Sequence, residues 1–234
     1  LKVGFTDVLE VAYGAEQTAI EETKEFIEKI QEGQEFMTSS CCPAYVLAVK
    51  KHLPKLRQYI SSTPSPMIFA GKIAKEKEPE TITVFIGPCL AKRSEAFDSK
   101  YIDYTLTFEE LGTLFIAKQI EVANCEPITL NKHAAKEARL FAATGGVANA
   151  ISSCITDDVK LQPFVINGYD KKEFKQLSGK LINQKPGNFI EVMTCEGGCI
   201  AGPCTIAKPA IAVRSVENFA KKGEKLSLPE EIEI

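Results

Sequence analysis

The chain has 234 residues, of which 44% are hydrophobic and 25% are charged, a composition typical of a globular protein with a substantial core. The formal net charge of −3 gives no sign of a nucleic-acid partner. No apolar run is long enough to span a membrane, and no signal peptide is visible. The first residue is Leu, so we expect a cytoplasmic chain that has been processed or cut from a longer one.

The eight cysteines are a high count for this length. They fit either disulfides in a secreted protein or thiols and metal ligands in a reducing compartment. Cys41 and Cys42 are adjacent, and Cys195 and Cys199 are four residues apart. Such close pairs rarely reach relaxed disulfide geometry. Together with the missing secretion signal, this favours metal or redox chemistry.

The first part of the chain predicts a strand, a helix, a second strand and a second helix. Residues 1–5 predict a strand, and Thr18 with Glu21 forms a possible capping box that opens a helix. Residues 35–39 predict a strand that leads directly into the adjacent cysteines. Pro43 then suits the first position of the next helix.

The middle of the chain repeats this alternation. Ser65 and Pro66 are a cap followed by proline, which predicts a helix to about residue 77. Residues 81–86 and 101–106 predict strands. Thr107 and Glu110 form a second capping box, which opens a helix to about residue 120.

In the last part, residues 144–146 precede a predicted helix that runs through Ile151, and strands are predicted over residues 162–166 and 189–193. Alternating strands and helices favour an α/β fold with largely parallel sheets. We expect two lobes, each with a mainly parallel β-sheet flanked by helices and with the active site in the cleft between them. The tentative lobes are residues 41–124 and residues 1–40 with 125–234.

Three predicted strand ends deliver cysteines. In open α/β sheets the functional site lies beyond the carboxyl ends of the strands, so the three loops could bring their thiols together. The sequence offers four thiolates for a [4Fe–4S] cluster: Cys42, Cys89, Cys195 and Cys199. A structural zinc ion fits the same count, although zinc sites usually use two short paired-cysteine knuckles. The adjacent Cys41 would be a spare thiol, which zinc does not require.

Three segments carry a family resemblance. Residues 38–46 read TSSCCPAYV, residues 86–95 read IGPCLAKRSE, and residues 189–204 read FIEVMTCEGGCIAGPC. They resemble, in order, the three signature loops of the [FeFe]-hydrogenase large-subunit catalytic domain. The likeness extends to SSTPSP at residues 61–66 and ATGGVANAI at residues 143–151. On these motifs the chain is identified as a member of a divergent branch of that family.

The resemblance implies a cofactor called the H-cluster. This is a [4Fe–4S] cubane joined through one cysteine to a diiron unit that carries CO, cyanide and a bridging dithiolate. Cys42, Cys89, Cys195 and Cys199 match the cubane ligands, with Cys199 as the bridge. Dedicated maturation enzymes build the diiron unit, so the resemblance also implies these enzymes as partners.

The resemblance also implies a route for protons. Cys41 matches the thiol that passes protons to and from the diiron unit, and Glu95, Ser61 and Glu25 match a relay to solvent. A thiol can exchange protons near neutral pH, and carboxylates and hydroxyls can carry them onward. An alternative for Glu25 is a solvated acidic helix face.

Four further residues are expected at the cofactor. Lys92 matches the lysine that binds a cyanide, since an ammonium suits an anionic acceptor. Ser65 matches a second cyanide contact. Pro88 and Met193 are expected to touch the cofactor, although a methionine at a strand end is more often core.

The implied function is the oxidoreductase reaction 2H⁺ + 2e⁻ ⇌ H₂, with ferredoxin or accessory iron–sulfur domains as electron donors. Such domains are expected to precede this chain. Gly87 stands where the family commonly has methionine, and residues 200–204 lack the common glycine-rich run. Two other functions therefore stay open: a hydrogen-sensing domain with slow turnover, and a non-catalytic iron–sulfur carrier.

Overall fold

A computed structural model describes residues 1–128, 134–155 and 159–226. Within these ranges the helices are α1 (Ala12–Gln31), α2 (Pro43–His52), α3 (Pro66–Lys77), α4 (Lys92–Phe97), α5 (Phe108–Ala117), α6 (Lys136–Arg139), α7 (Gly146–Cys154), α8 (Lys171–Gln184) and α9 (Pro209–Ala220). The strands are β1 (Met37–Thr38), β2 (Val84–Gly87), β3 (Tyr104–Thr107), β4 (Pro163–Asn167) and β5 (Phe189–Met193).

The described strands form two parallel sheets. One has the order β1-β5-β4, and the other pairs β2 with β3. Each parallel pair needs a crossover, and helices supply these connections and cover the sheets. The predicted α/β class, with parallel sheets flanked by helices, is confirmed.

The larger sheet is built around β5, whose five residues are all buried. Phe189 packs edge-on against Phe26 of α1, with ring centroids 5.7 Å apart. On the opposite side, Ile190 belongs to a second cluster in which Phe36 stacks on Tyr59. Because both faces of β5 are covered, its sequence is almost continuously apolar.

Several predicted elements match the structure. The strand over residues 189–193 has the predicted bounds, and α2 and α3 begin at Pro43 and Pro66. The capping box at α5 is complete, since the Thr107 side chain accepts from the Glu110 N–H and the Glu110 side chain accepts from the Thr107 N–H. Its helix ends at Ala117, earlier than expected.

Two predictions at the amino terminus are wrong. Residues 1–5 form turns and bends rather than a strand. Helix α1 begins at Ala12, so Thr18 lies inside it, and its hydroxyl donates to the Gly14 and Pro64 carbonyls at 3.0 and 3.1 Å. Gly14 allows the close approach of α1 to α3, because a Cβ there would collide with the Pro66 carbonyl. This packing extends α1 beyond its local start signal.

Among the described helices, none has the length and apolar character needed to cross a membrane. The two-lobe division at residues 124–125 stays a prediction. Part of the connection that follows it, residues 129–133, lies outside the described ranges.

Candidate metal centre

The loops at the ends of three parallel strands carry the cysteines. Cys41 and Cys42 follow β1, Cys89 follows β2, and Cys195 and Cys199 follow β5. Cys42 is the N-cap residue of α2, with Pro43 next in the helix, so the first turn of α2 lies beside its thiol. Exposed N–H groups at a helix start stabilise thiolate charge.

Four of these thiols interact electrostatically. Burial raises the pKa of Cys199 to about 12, with further increases from Cys42, Cys89 and Cys195 and an opposing effect of the Lys92 ammonium. Burial also raises the pKa of Cys195, and Cys42 and Cys89 add to this. These mutual effects show that the structure brings the four sulfur atoms into one region, and their role as cluster ligands stays a prediction.

The donor chemistry of these thiols bears on the kind of metal group they fit. Within residues 1–128, 134–155 and 159–226, no three His, Cys, Asp or Glu side chains are close enough together to hold a metal ion. A structural zinc ion needs four ligands within about 2.3 Å of one centre. Four soft thiolates are the donor set of a [4Fe–4S] cluster, which takes one thiolate at each iron. The donor set therefore fits a cubane.

Glycines hold the third cysteine loop in place. Gly197 and Gly198 have φ angles of +87° and +82°, which strongly favour glycine. A Cβ on Gly198 would lie 2.7 Å from both the Ala142 carbonyl oxygen and the Thr144 nitrogen. The Asn167 side chain accepts from the Gly197 N–H at 2.6 Å. The loop is thus fixed between β4 and the segment before α7.

The Cys42 thiol has a polar neighbour. It lies 3.4 Å from the Thr194 hydroxyl, which is 2.8 Å from the Tyr169 hydroxyl. Tyr169 lies just beyond β4, beside the end of β5, because the two strands are parallel neighbours. These contacts position one candidate ligand relative to the next strand.

Lys92 brings a buried cation to the same region. The residue is only 8% exposed. Its ammonium donates to the Glu95 carboxylate at 2.6 Å, to the Ser65 hydroxyl at 2.8 Å and to the Cys41 carbonyl at 3.3 Å. An ammonium beside the cysteine loop suits an anionic group bound there.

Cys41 is buried, and the carboxyl groups of Glu22 and Glu191 are close enough to affect its ionisation. Its pKa is raised well above the ordinary value by burial first, and then by Glu22 and Cys42. Glu22 is itself fully buried, and burial raises its pKa to about 8. Both groups therefore favour their protonated forms at neutral pH.

Glu22 has one free acceptor. Its Oε1 accepts from the Ser40 N–H at 3.2 Å, whereas its Oε2 has no hydrogen-bond partner among the described residues. The Ser61 hydroxyl is close enough to oppose the rise in the Glu22 pKa, but it donates to Glu25 at 2.7 Å. Since burying an unpaired acceptor is costly, the free oxygen is a natural site for a proton.

Glu25 is held as an anion at the far end of this network. Burial opposes ionisation, but Lys29, the Ser62 N–H and the hydroxyls of Ser61 and Thr63 outweigh it and lower the pKa to about 2. The Lys29 ammonium lies 2.6 Å from Glu25. The side chains run in the order Cys41, Glu22, Ser61 and Glu25, from the buried thiol toward the surface.

Two of the predicted relay residues are hydrogen-bonded to each other, and the third pairs with a different residue. Ser61 and Glu25 share a hydrogen bond, whereas Glu95 pairs with Lys92. Ser61, Ser65 and Glu95 all line an open groove of about 830 Å³. The relay role of Glu95 stays a prediction, because among the described residues Glu95 forms no hydrogen bond with Ser61 or Glu25.

Two other predicted cofactor contacts lie close to the cysteine loops. The Pro88 carbonyl accepts from the Cys204 N–H at 3.1 Å, which ties the second cysteine loop to the third. Met193 is 2% exposed and packs in the same core cluster as Cys41. Their contacts with a cofactor stay predictions.

Glu22 is the residue that the sequence did not single out. Its neighbours in the chain predict an acidic helix face, yet it lies one turn from Ala19 and Phe26, both of which are completely buried. A carboxylate at this spacing within an apolar helix face is the signal that would have identified it.

Fold and site together define an α/β protein in which three loops beyond parallel strands bring cysteine thiols into one region. The sequence model of the family described as iron only hydrogenase large subunit, C-terminal domain, matches residues 1–203. The chain belongs to this family.

Curated relatives include both hydrogenases and iron–sulfur assembly factors. Iron hydrogenase 1 of Clostridium pasteurianum is 28% identical over 86% of this chain and 43% of its own length. The periplasmic [Fe] hydrogenase large subunit of Nitratidesulfovibrio vulgaris is 27% identical over 86% of this chain and 59% of its own length. Cytosolic iron-sulfur assembly component 3 of Rattus norvegicus is 23% identical over 89% and 56%. The chain thus spans about half the length of these relatives.

Solved structures share the fold. An apo [FeFe]-hydrogenase HydA1 variant from Chlamydomonas reinhardtii superposes with a TM-score of 0.67 at 20% identity, covering 93% of this chain and 74% of that one. The structure called HydA(deltaEFG), described as revealing stepwise H-cluster assembly, gives a TM-score of 0.69 at 21% identity, with the same coverage.

Proposed function

We propose that this domain catalyses 2H⁺ + 2e⁻ ⇌ H₂ at an H-cluster and is therefore an oxidoreductase. The observation that carries this is a fifth thiol, Cys41, beside the four candidate ligands and next to buried Glu22. A protein that only holds a cubane needs four thiolates. A proton-exchanging thiol connected to carboxylic acids is what hydrogen chemistry requires.

The residues present fit the parts of that cofactor. Cys42, Cys89, Cys195 and Cys199 would hold the [4Fe–4S] cubane, and Cys199 would bridge to the diiron unit with its CO, cyanide and dithiolate ligands. The buried Lys92 ammonium and the Ser65 hydroxyl would bind cyanide. When bound, the group supplies the iron at which protons and electrons combine.

The chain's own residues would carry protons between solvent and the cofactor. Cys41 Sγ would exchange a proton with the Glu22 carboxyl, whose raised pKa keeps it protonated at neutral pH. The Ser61 hydroxyl lies between Glu22 and Glu25 and can pass a proton by receiving one and donating another. Glu25, partly exposed beside Lys29, is the step nearest to solvent.

Cys41→Ala tests this function most directly. The protein is produced with the maturation enzymes that build the diiron unit, and infrared bands of CO and cyanide report the bound cofactor. We expect the variant to keep those bands but to lose hydrogen evolution from a reduced viologen by about 10²-fold or more, because the proton exchange is removed. Cys154→Ala, which removes a buried thiol outside the cysteine loops, is the matched control.

The same measurements separate the two other functions. Absent CO and cyanide bands in a cubane-containing protein would support the non-catalytic carrier, in line with the relatives named as assembly factors. Intact bands with negligible turnover in the unsubstituted protein would support a hydrogen sensor.

Partners and location belong to the same proposal. Ferredoxin or accessory iron–sulfur domains would donate electrons, and maturation enzymes would supply the diiron unit. The cysteines are free in the structure, which agrees with a reducing compartment such as the cytoplasm.

A further inference from the structure

Two hydroxyl groups form a series of contacts that ends at the Cys42 sulfur. The Thr194 hydroxyl lies 3.4 Å from Cys42 Sγ, and the Tyr169 hydroxyl lies 2.8 Å from that of Thr194. Both residues are partly buried. The hydroxyl pair, Tyr169 and Thr194, therefore connects a candidate cluster ligand to a side chain that follows a different strand.

The backbone fixes the position of the hydroxyl pair. Tyr169 follows β4 and Thr194 follows β5, and these two strands are parallel neighbours. The Gly168 N–H donates to the Met193 carbonyl at 2.9 Å and so joins the two strand ends. Gly168 has a φ of +77°, and a Cβ there would lie 2.8 Å from the Glu196 nitrogen. Glycine thus lets the chain beyond β4 lie close against the third cysteine loop.

Packing also holds the Tyr169 ring. Phe174 of α8 stacks on it, with ring centroids 5.4 Å apart and an interplanar angle of 28°. Both rings pack against the core cluster that contains Ile190. A side chain held by packing on this scale keeps its orientation, so the Tyr169 hydroxyl stays directed at Thr194.

The protonation state of Cys42 decides the direction of these hydrogen bonds. A protonated Cys42 thiol donates to the Thr194 oxygen. A cysteine that ligates iron is a thiolate, which has no proton and can only accept. Thr194 must then donate its proton to the sulfur, and its oxygen accepts from Tyr169, which keeps its phenolic proton at neutral pH. Ligation therefore sets one direction, from Tyr169 through Thr194 to Cys42.

We propose that the hydroxyl pair raises the reduction potential of a [4Fe–4S] cluster bound at Cys42. This rests on the proposed function, because it takes Cys42 as a cluster ligand. Hydrogen bonds to ligand sulfurs are among the features that set cluster potentials. When one electron enters the cluster, its negative charge grows by one, so a donor at the sulfur stabilises the reduced form more than the oxidised form. Tyr169 acts through Thr194 and is a positioning residue.

The outer hydroxyl strengthens the inner one. When Tyr169 donates to Thr194, it polarises the threonine O–H and makes it a better donor. A hydrogen bond to an ionised acceptor is about twice as strong as one between neutral groups. The pair therefore sets how readily the cluster takes up an electron, whereas a purely structural contact would leave the potential unchanged.

The test measures the potential of the cubane in protein without the diiron unit, by titration with redox dyes and electron paramagnetic resonance. Thr194→Val removes the inner hydroxyl and keeps the side-chain shape, whereas Thr194→Ser keeps the hydroxyl. Tyr169→Phe removes the outer hydroxyl alone. The matched control is Tyr45→Phe, because Tyr45 is a buried tyrosine near Cys42 whose hydroxyl donates to Thr38 at 2.9 Å.

We expect Thr194→Val to lower the equilibrium constant for one-electron reduction about tenfold, which is about 59 mV. Tyr169→Phe should lower it about threefold, because the threonine still donates but less strongly. Thr194→Ser and Tyr45→Phe should stay within about twofold of the unsubstituted protein, since both keep the donor at the sulfur. In the Thr194→Val protein, adding Tyr169→Phe should change the constant by less than about twofold, because the tyrosine acts only through the threonine.

An unchanged or higher potential in Thr194→Val would overturn the proposal. An equal loss in Tyr45→Phe would do the same, because any buried hydroxyl in this core would then have the effect. A full effect of Tyr169→Phe in the Thr194→Val protein would also reject the series of bonds. Iron and sulfide analysis confirms the cubane in each variant, and if Thr194→Val takes up none, the shift in Tyr169→Phe alone decides.

The hydrogenase function and the role of the hydroxyl pair fail in different ways. If the potentials shift as expected but the matured protein makes no H₂, the hydrogenase function fails and the role of the pair stands. If the matured protein makes H₂ and the variants keep the unsubstituted potential, only the role of the pair fails.

Discussion

Glu22 and Glu25 lie three residues apart on α1, yet their carboxyl groups have opposite character. Burial raises the pKa of Glu22 to about 8, whereas Lys29 and hydrogen bonds from residues 61–63 lower that of Glu25 to about 2. One group holds a proton at neutral pH and the other does not. Pairs of acids whose environments separate their pKa values in this way often divide the roles of acid and base.

Glu22→Gln should separate proton transfer from cofactor binding. The amide can still accept from the Ser40 N–H, but it cannot pass a proton. Hydrogen evolution by the matured protein should fall by about 10²-fold, with unchanged CO and cyanide infrared bands. Glu21→Gln, on the exposed side of the same helix, is the control and should keep the full rate. Turnover of Glu22→Gln within about twofold of normal would rule out Glu22 as a relay.

Glu25→Gln should change how stability depends on pH. The folded-state pKa of about 2 lies below the ordinary 4.5, so ionised Glu25 stabilises the fold above about pH 4.5, and this contribution is lost as the pH falls toward 2. The variant should lose about 2 kcal/mol of unfolding free energy at pH 7, because the charge-assisted bonds to residues 61–63 weaken. The difference should shrink between pH 4.5 and 2 in urea unfolding. Glu28→Gln, exposed one turn along α1, should show no such convergence.

Local sequence signals were sufficient to predict the elements whose structure depends mainly on their own residues. The capping box of α5 formed both predicted bonds, and the apolar run of β5 gave the strand its observed bounds. The three family motifs located the cysteine loops, because the order and spacing of those residues are properties of the sequence itself. The fold class followed from the alternation of strands and helices.

Features that depend on tertiary packing were not predictable. The early start of α1 depends on contact with α3, and the burial of Glu22 depends on Ser40 and Ser61, which lie in other segments. No helix or strand was predicted over α8. Its composition is largely polar, and only Leu177 and Leu181 of this helix are buried. The pairing of Lys92 with Glu95 likewise became visible only in three dimensions.

Glu191 should be a major structural carboxylate. It is completely buried in β5 and accepts from the N–H groups of Gly145 and Ala148 at 2.7 and 2.9 Å, which fastens the start of α7 to the strand before the third cysteine loop. Glu191→Ala should cost about 3 to 5 kcal/mol in urea unfolding, because it leaves buried donors unpaired. Glu191→Gln should cost less, since its carbonyl oxygen can still accept. Glu217→Ala, exposed on α9, should change stability by less than about 0.5 kcal/mol. An equally mild effect of Glu191→Ala would contradict the fastening role.

Gly146→Ala and Gly179→Ala should change stability in opposite directions. A Cβ on Gly146, the first residue of α7, would collide with the Leu140 carbonyl, and the backbone there cannot shift without moving the loop beside the cysteine centre. We expect a loss of about 1 to 3 kcal/mol, typical of overpacking.

Gly179 lies exposed inside α8. A Cβ there would make an ordinary contact with the Asn183 side-chain nitrogen at 3.8 Å, and among the described residues outside its own helix backbone it would have no closer neighbour. Alanine there should add about 0.5 to 1 kcal/mol, because it restricts the unfolded chain and favours helix. Thermal and urea unfolding of the two variants measure both effects. A Gly146→Ala protein at least as stable as the unsubstituted one would contradict the packing around α7, and a destabilised Gly179→Ala protein would contradict the open space at α8.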